Sequence, residues 1–450
     1  MEPVTQDAAP LSVAIVGGGI VGFILAAGLH KRNIKVQIYE QSRGPREIGA
    51  GVAFTGAAQK CMRMMDPAIL EALYGSGSMP LSDCGGHDFL RWLDGYTQPN
   101  KDEPYYEIPL CALDAGPRGF EGVRRDMLLE SLVKLLPSEA VSWKKRLVAI
   151  EEAEPGAKLT LKFADGHVAH ADAVIGCDGI KSRVRELILG EGNPASYPHF
   201  AHKVAYRCLL PYDACHKILG DWKGRNFHMH IGPNAHIIHY PVANQTLMNF
   251  VAFVSDDSEW SDWQQMVGTG SRKDVEKAFT GWNQTVSDLV ALLPDDMIKW
   301  ALFDSWDYPA PYYNKGRIVL AGDAAHASSP HHGTGASCGI EDALSLSVLL
   351  DQVAKTVARD GVSARHEALE TAFDVFDKTR RTRTQWLVNS SRRVIDLFHQ
   401  EDWAVPEKRV KAETCFEELK DRSFKLWHFD PENMVKTTIE EYTKRVGATK

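Results

Sequence analysis

The sequence predicts an α/β protein in three parts: a Rossmann-like dinucleotide-binding domain, a β-sheet domain inserted into it, and a helical C-terminal region. Three observations carry this prediction. A glycine-rich turn joins a strand to a helix close to the N-terminus, and a second strand–turn–helix unit stands between Gly316 and Ala343. Between the two lie runs of strand character, and after them apolar residues recur at helical spacing.

The N-terminal unit begins with the apolar strand Val13 to Val16, followed by Gly17-Gly18-Gly19-Ile20-Val21-Gly22 and an amphipathic helix through Leu25, Ala26 and Leu29. A second strand, Lys35 to Tyr39, ends in Glu40, 18 residues past Gly22. Each piece has a task in a dinucleotide-binding βαβ unit. Gly17 makes the tight turn, Gly19 leaves room for a pyrophosphate, Gly22 lets the helix pack closely, and Glu40 takes the ribose hydroxyls. A glycine pattern alone is weak evidence, but here strand, turn, helix, second strand and acid follow in order.

A hairpin over residues 159–163 and 167–171, closed by Asp165-Gly166, precedes an apolar strand from Ala173 to Gly176. That strand runs into Cys177-Asp178-Gly179. Near the end of the domain, Ile318 to Ala321 reads as a buried parallel strand ending in Gly322-Asp323. Its carboxylate falls at the carboxyl edge of the sheet, where open α/β sheets bind ligands. Pro330 and Gly333-Thr334-Gly335 follow and open a helix through Ala336, Ile340 and Leu344. The glycines let bare backbone approach a flat ligand, and the helix N-terminus favours negative charge. A reduced flavin is flat and carries negative charge.

These three motifs in this order resemble the single-component, FAD-dependent aromatic monooxygenases, the flavoprotein hydroxylase family that includes salicylate hydroxylase. The resemblance covers residues 10 to 400. Smaller marks agree: Glu47-Ile48-Gly49-Ala50-Gly51 after the second strand, and Val123-Arg124-Arg125-Asp126-Met127-Leu128 at a helix start. The resemblance implies FAD held by Glu40 at the ribose, Arg124 at the phosphate and ribitol region and Asp323 at the ribitol. Gly51, Gly333, Gly335 and Ala336 would line the cofactor, and Asp178 is tied to the pyrophosphate region and to NAD(P)H. It also implies NADPH or NADH as co-substrate, docking transiently because FAD takes the one good βαβ unit, and O2 as the oxygen donor through a flavin C4a-hydroperoxide.

A narrower resemblance rests on Arg91-Trp92, the segment 228–244, residues 307–313, Pro330 to Gly333 and the tail 415–430. These look like fungal polyketide-pathway enzymes of the 3-methylorcinaldehyde hydroxylase type, which hydroxylate a resorcinol-type aldehyde with oxidative dearomatisation. The resemblance implies that Arg207 and Tyr240 hold the substrate phenolate. Their settings agree. Arg207 sits in a run apolar on both faces of a strand, where a charge needs a partner. Tyr240 follows Ile237-Ile238-His239 and precedes Pro241, at a strand's end. An electrophilic oxygen attacks carbon only on an electron-rich ring; a guanidinium that stays cationic favours the ionised phenol. A tyrosine hydroxyl adds a second hydrogen bond that selects the carbon. The bland readings are a structural salt bridge for Arg207 and a satisfied core tyrosine for Tyr240. Pro330, His332 and Phe120 are candidates for the substrate pocket, with His332 able to touch substrate or relay a proton, or to be only a loop histidine.

The expected organisation is discontinuous. Residues 1–75, 118–195 and 300–355 form the FAD-binding domain, 76–117 and 196–299 the substrate domain, and 356–450 the helical region. The tail's apolar positions are Phe373, Phe376, Trp386, Leu387, Val394 and Leu397, and its arginines (Arg380, Arg381, Arg383, Arg392, Arg393) read as a solvated face rather than a 2′-phosphate site. His228, His230, His236 and His239 form no metal site by pattern, since His236 and His239 point to opposite faces.

Composition sets the outer limits. The chain has 450 residues, 44% of them hydrophobic, enough for a sizeable core, and no apolar span of membrane length. Its first ten residues lack a basic and apolar leader, which points to the cytosol. Eight cysteines without C-x-x-C spacing read as reduced thiols, and a net charge of −8 argues against nucleic acid as a partner. A small phenol is the expected partner. Two other readings remain open at this level. Arg207 suits a carboxylate as well as a phenolate, as a salicylate-type decarboxylating hydroxylase would need. The flavin motifs would also serve a reductase or dehydrogenase that transfers no oxygen, or a non-enzymatic FAD-binding sensor.

Overall fold

The computed structural model describes residues 11–45, 51–80, 90–97, 109–113, 120–154, 156–243, 245–260 and 262–448. Glu47 to Ala50 of the segment read above lie outside the described residues.

Among the described residues the strands form four sheets. The first has six strands in the order Asn314–Lys315, Ile318–Leu320, Ala173–Gly176, Ser12–Val16, Lys35–Tyr39 and Val141–Ser142. The central pairings are parallel, and their register decides where the chemistry collects. Val16 lies opposite both Gly176 and Tyr39, and Gly176 lies opposite Leu320. The residues that follow, Gly17, Cys177-Asp178, Glu40 and Gly322-Asp323, therefore emerge at one carboxyl edge. Buried on both faces, these strands read as continuous apolar runs. The helix Ile20–His30 is buried along most of its length and contacts the long helix Gly335–Asp360. The expected hairpin is present: Leu159–Phe163 pairs antiparallel with Val168–Ala171, and Gly166 takes the positive φ (82°) of the turn.

The inserted sheet has eight strands, ordered Val267–Ser271, Asp296–Asp304, His199–Pro211, Leu247–Ser255, Ala235–Val242, His228–Gly232, Leu90–Asp94 and Pro109–Leu113. The strand Asp296–Asp304 carries this sheet past residue 299, while Met79–Pro80 pairs with Phe120–Arg124 in a separate three-stranded sheet. Side chains alternate along each strand, so each face has its own cover. Val204, Tyr206, Leu210, Ile237 and Phe250 meet Val275, Val286 and Leu289 of two short helices on one side. On the other, Trp92, Met229 and Ile231 meet Leu387, Val394, Phe398 and Trp403 of the C-terminal region. The C-terminal helices thus cover the second face of the inserted sheet.

That region consists of the helices Arg365–Phe398, Arg409–Trp427 and Pro431–Ala448 after the long helix, which itself runs across residue 355. Phe373, Phe376, Leu387, Val394 and Leu397 are buried and Trp386 is half-buried. Arg393 is exposed as expected, and Arg381 partly so, but Arg380, Arg383 and Arg392 are not a solvated face. Arg380 is 1% exposed and donates to Asp342 and Glu341; Arg383 also donates to Glu341, and Arg392 to Asp304. A buried guanidinium must be paired, and the long helix supplies two adjacent acids for that purpose. The thiols of Cys61, Cys177, Cys208, Cys215, Cys338 and Cys415 are free. No described helix is long and apolar enough to cross a membrane.

Candidate active site

The glycines of the first turn are fixed by contact. Gly17 has φ 106°, and a Cβ there would stand 2.4 Å from the Cys177 carbonyl oxygen. A Cβ at Gly22 would stand 2.2 Å from the Gly17 carbonyl oxygen, so the helix rests directly on the turn. Gly19 is the N-cap of that helix, and no side chain caps its first N–H groups. Glu40 reaches back to the turn: the Gly18 N–H donates to one carboxylate oxygen at 2.6 Å, and the Ser42 N–H to the other at 2.7 Å. Each oxygen keeps a lone pair for a ligand hydroxyl.

The second half of the cradle comes from the Gly322 turn. Its φ of 61° leaves Asp323 exposed at the sheet edge, and the Gly322 N–H is held at 3.1 Å by buried Asp342. Asp342 also meets His326 Nε2 at 2.6 Å. Burial works against its charge, but His326 and Arg380 hold its carboxyl below the usual range. The helix that starts at Gly335-Ala336 has no side-chain cap either, and the buried Thr334 hydroxyl at its start has no hydrogen-bond partner. A Cβ at Gly335 would stand 4.0 Å from Asp323 Oδ1. Gly333, in the left-handed region at φ 63°, faces the Phe120 ring, 3.2 Å from where its Cβ would be. The Ser337 hydroxyl accepts from the Thr55 N–H at 3.3 Å and joins this helix to the strand Gly51–Thr55. Two uncapped helix starts, a carboxylate at each and crowded glycines between them fit a long anionic cofactor with a ribose and a flat ring.

Two further candidates have partners within the chain. Arg124 is exposed, and its guanidinium grips Asp126 at 2.7 and 3.3 Å, an i to i+2 pair on the surface. Its neighbour Arg125 is the one turned inward, with Nη2 4.0 Å from the Cβ position of Gly19. The sequence reading selected one member of an adjacent pair that the strand-to-helix turn points in different directions. Asp178 accepts from the Ser182 hydroxyl at 2.5 Å and from the Val184 N–H at 3.0 Å, at the start of the helix Arg183–Leu189. Burial pushes its carboxyl up against those bonds.

On the inserted sheet, three predicted residues converge. A Cβ at Gly51 would stand 2.9 Å from the Tyr240 hydroxyl and 3.5 Å from Arg207 Nη2. Arg207 is half-buried, and its guanidinium donates from Nε and Nη2 to Asn249 Oδ1 at 3.3 and 3.1 Å. Among the described residues it meets no carboxylate. The salt bridge that was the bland reading of Arg207 is not formed with any described residue. Tyr240 lies directly opposite Asn249 in the antiparallel register, and its ring stacks on Phe227 at 5.4 Å and 16°. Burial pushes its phenol up, against the pull of the Arg207 cation. Phe120 packs against Trp427 with ring centroids 5.8 Å apart, so the C-terminal region closes this side of the pocket.

The histidines divide by face. His228, His230 and His239 lie on the side away from the site, with His230 and His239 Nε2 atoms 3.0 Å apart. His236 lies on the site's face and contacts His399 at 2.7 Å and the ring of His331. His332 is buried, 2.9 Å from the Ser390 hydroxyl, and burial pushes it down to about 3. Its ring is thus turned toward the helix Arg365–Phe398. Pro330, by contrast, is exposed. No metal-holding cluster occurs among the described residues. The sequence reading passed over Asn249, although a lone amide in the apolar run Leu247–Ser255 was a readable signal, and Asp342, whose role depends on three elements meeting.

Residues 10–379 match the family described as FAD binding domain. The chain is 55% identical over 435 residues to the FAD-dependent monooxygenase eupB of Phoma sp, covering 95% of this chain and 97% of that one. It is 52% identical over 442 residues to salicylate hydroxylase asL1 of Sarocladium schorii, covering 97% and 92%. Among solved structures it resembles a salicylate hydroxylase in complex with substrate, with a TM-score of 0.78, 29% identity and coverage of 96% and 98%.

Proposed function

We propose, from the premise that this chain belongs to the FAD binding domain family and is an FAD-dependent aromatic monooxygenase, that its substrate is a phenol bound as the phenolate. The observation that carries this is Arg207. It is a half-buried cation beside a tyrosine hydroxyl, and its one recorded partner among the described residues is a neutral amide. A guanidinium in that setting has room for an anion and keeps its charge at any working pH.

In this reading Glu40 holds the ribose, Asp323 the ribitol and Arg125 the phosphates of FAD, with Gly17, Gly19, Gly22, Gly51, Gly333, Gly335 and Ala336 giving it backbone access. Asp178 fixes the helix beside the pyrophosphate. Bound FAD, reduced by NAD(P)H, supplies the electrophilic oxygen from O2. Everything else falls to the chain. Arg207 lowers the pKa of the substrate hydroxyl and holds the resulting oxygen. The Tyr240 hydroxyl donates to the same ring system and, kept upright by Phe227, selects the carbon presented to the flavin. Phe120 and Trp427 exclude water from that side. Attack at a substituted ring carbon leaves no hydrogen to lose, so the product is a dearomatised dienone; a resorcinol-type aldehyde meets these requirements. The names of the relatives support a second reading, a salicylate-type hydroxylation in which Arg207 takes a carboxylate-bearing phenol and carbon dioxide leaves.

The test is NAD(P)H oxidation by the FAD-loaded protein in air, with 3-methylorcinaldehyde and salicylate compared and products analysed by mass. Gain of one oxygen with loss of aromatic absorbance supports dearomatisation. Catechol and carbon dioxide from salicylate support the second reading. Peroxide alone, from every phenol tried, would refute both.

A further inference from the structure

Asn249 does more than the strand requires of it. It lies in Leu247–Ser255, a nine-residue strand whose other side chains on this face are apolar or hydroxylic, and it is only 2% exposed. Its orientation is determined by chemistry: Arg207 has donors only, so the amide oxygen must face the guanidinium, and it accepts there from both Nε and Nη2. The NH2 group then necessarily occupies the other edge of the same amide. That nitrogen is buried and has no acceptor among the described residues. An unpaired amide donor buried in a sheet carries a desolvation cost that an apolar residue of similar size would not incur. A residue whose whole task was to fill the strand would not carry it.

The register shows where the unused donor lies. Asn249 is directly opposite Tyr240 on one side and Leu209, two residues along from Arg207, on the other. It stands on the sheet face shared by Arg207 and Tyr240, between the two groups that meet at Gly51. Three donors, the Arg207 guanidinium, the Tyr240 hydroxyl and the Asn249 amide, therefore gather without a carboxylate among them. The amide oxygen is used internally, and its nitrogen is left on the strand that runs between those of Arg207 and Tyr240.

We propose that Asn249 binds substrate directly, donating from Nδ2 to a carbonyl-type oxygen ortho to the phenolate that Arg207 holds. An ortho-acyl phenolate presents two acceptor oxygens side by side, about one amide width apart, and so matches adjacent guanidinium and amide donors. The inference rests on the phenolate reading above and narrows it: the site selects ortho-carbonyl phenols over phenols lacking that group. Aldehyde, ketone and carboxylate share this chemistry. Asn249 also positions Arg207, and the two roles are separable by choice of ligand.

The experiment titrates FAD-loaded wild type, Asn249→Ala and Asn249→Ser with paired ligands, without NAD(P)H, reading the flavin absorbance change on binding. One pair is 3-methylorcinaldehyde and its deformylated analogue, 2,5-dimethylresorcinol; the other is salicylate and phenol. FAD content and melting temperature are recorded for each variant, and the serine variant is the fallback if alanine fails to fold. The expected result is a loss of about 10- to 100-fold in affinity for whichever carbonyl-bearing ligand the wild type prefers, with less than threefold for its partner. Equal losses within a pair would mean that Asn249 acts only through Arg207 and would overturn the inference alone. A wild type that binds neither carbonyl-bearing ligand more tightly than its partner would overturn it too. A wild type that perturbs its flavin with none of the four would remove the phenolate reading as well.

Discussion

Replacing Arg207 by glutamine removes a charge while leaving a side chain able to hydrogen-bond, and the structure sets the size of the effect. A phenolate oxygen held at about 3 Å from the guanidinium gains about 1.4 kcal/mol at the dielectric of water and about 5.5 kcal/mol at an effective value of 20. Arg207 is half-buried and shares its charge only with the Asn249 amide, so an intermediate figure of about 1.4–4 kcal/mol applies. That is about 1–3 pKa units on the bound phenol, lowered by Arg207 and released in the variant. The sign follows directly. Without the cation the bound phenol ionises at higher pH, so the acid limb of kcat, which reports ionisation in the enzyme–substrate complex, moves up by about 1–3 units. At saturating phenol, kcat falls about 10- to 1,000-fold near neutral pH and recovers as the pH passes the raised value. The assay is kcat for NAD(P)H-coupled hydroxylation at saturating phenol over pH 6 to 10, with Arg207→Lys as the charge-retaining control. That control should keep its limb within about half a unit of wild type, whatever the loss in geometry. A loss in Arg207→Gln that is the same at every pH would refute the reasoning, because it would show that Arg207 shapes the pocket and not the substrate's charge.

Other perturbations test the supporting structure. Arg125→Ala should weaken FAD retention by about tenfold to a hundredfold, the worth of one charged hydrogen bond, whereas Arg124→Ala should change it less than twofold, as read by FAD titration; the reverse order would return the phosphate role to Arg124. Arg380→Met leaves Asp342 and Glu341 short of a buried partner and should cost about 3–5 kcal/mol in urea unfolding, with Arg383 softening the loss at Glu341; an unchanged midpoint would contradict the burial. Acid should destabilise the fold early. Burial holds His228, His236 and His332 down to about 3, while in the unfolded chain they take protons near 6.5. The unfolded state therefore binds more protons between these values, and stability present above about pH 6.5 falls as the pH drops, by up to ~1.4 kcal/mol per unit for each histidine. A urea midpoint constant from pH 7.5 to 5 would show that these rings are not neutral in the folded state.

How much of this was readable in advance depends on the range of the interaction. The βαβ unit was legible because each part is local: the turn needs Gly17 for its positive φ, the helix needs a glycine at 22 because a Cβ there would stand 2.2 Å from a carbonyl oxygen, and Glu40 follows from strand length. Gly322-Asp323 was legible for the same reason. The arginine pair at 124–125 was not, because choosing between neighbours requires knowing which way the chain leaves a strand. Arg380 and Arg383 were misread because their partners, Glu341 and Asp342, lie some forty residues away on another helix, and no periodicity in the tail reports them.

Arg207 and Tyr240 show the limit most clearly. Their residue types and strand positions were visible, but an isolated charge in an apolar run has two opposite explanations, a salt bridge or a ligand. Sequence cannot separate them, since the missing partner could be any acid in the chain. The fold favours the ligand by registering three strands so that, among the described residues, the guanidinium donates to Asn249, an amide, and to no acid. An acid at that position would have satisfied Arg207, lowered the electrostatic cost of burying it, and competed with a phenolate for the same donors. The neutral partner orients the cation without discharging it. On the proposed reading, what separates a binding site from a structural pair on this sheet is the charge of one residue, and that residue lies in a strand, Leu247–Ser255, where only its amide interrupts the apolar run.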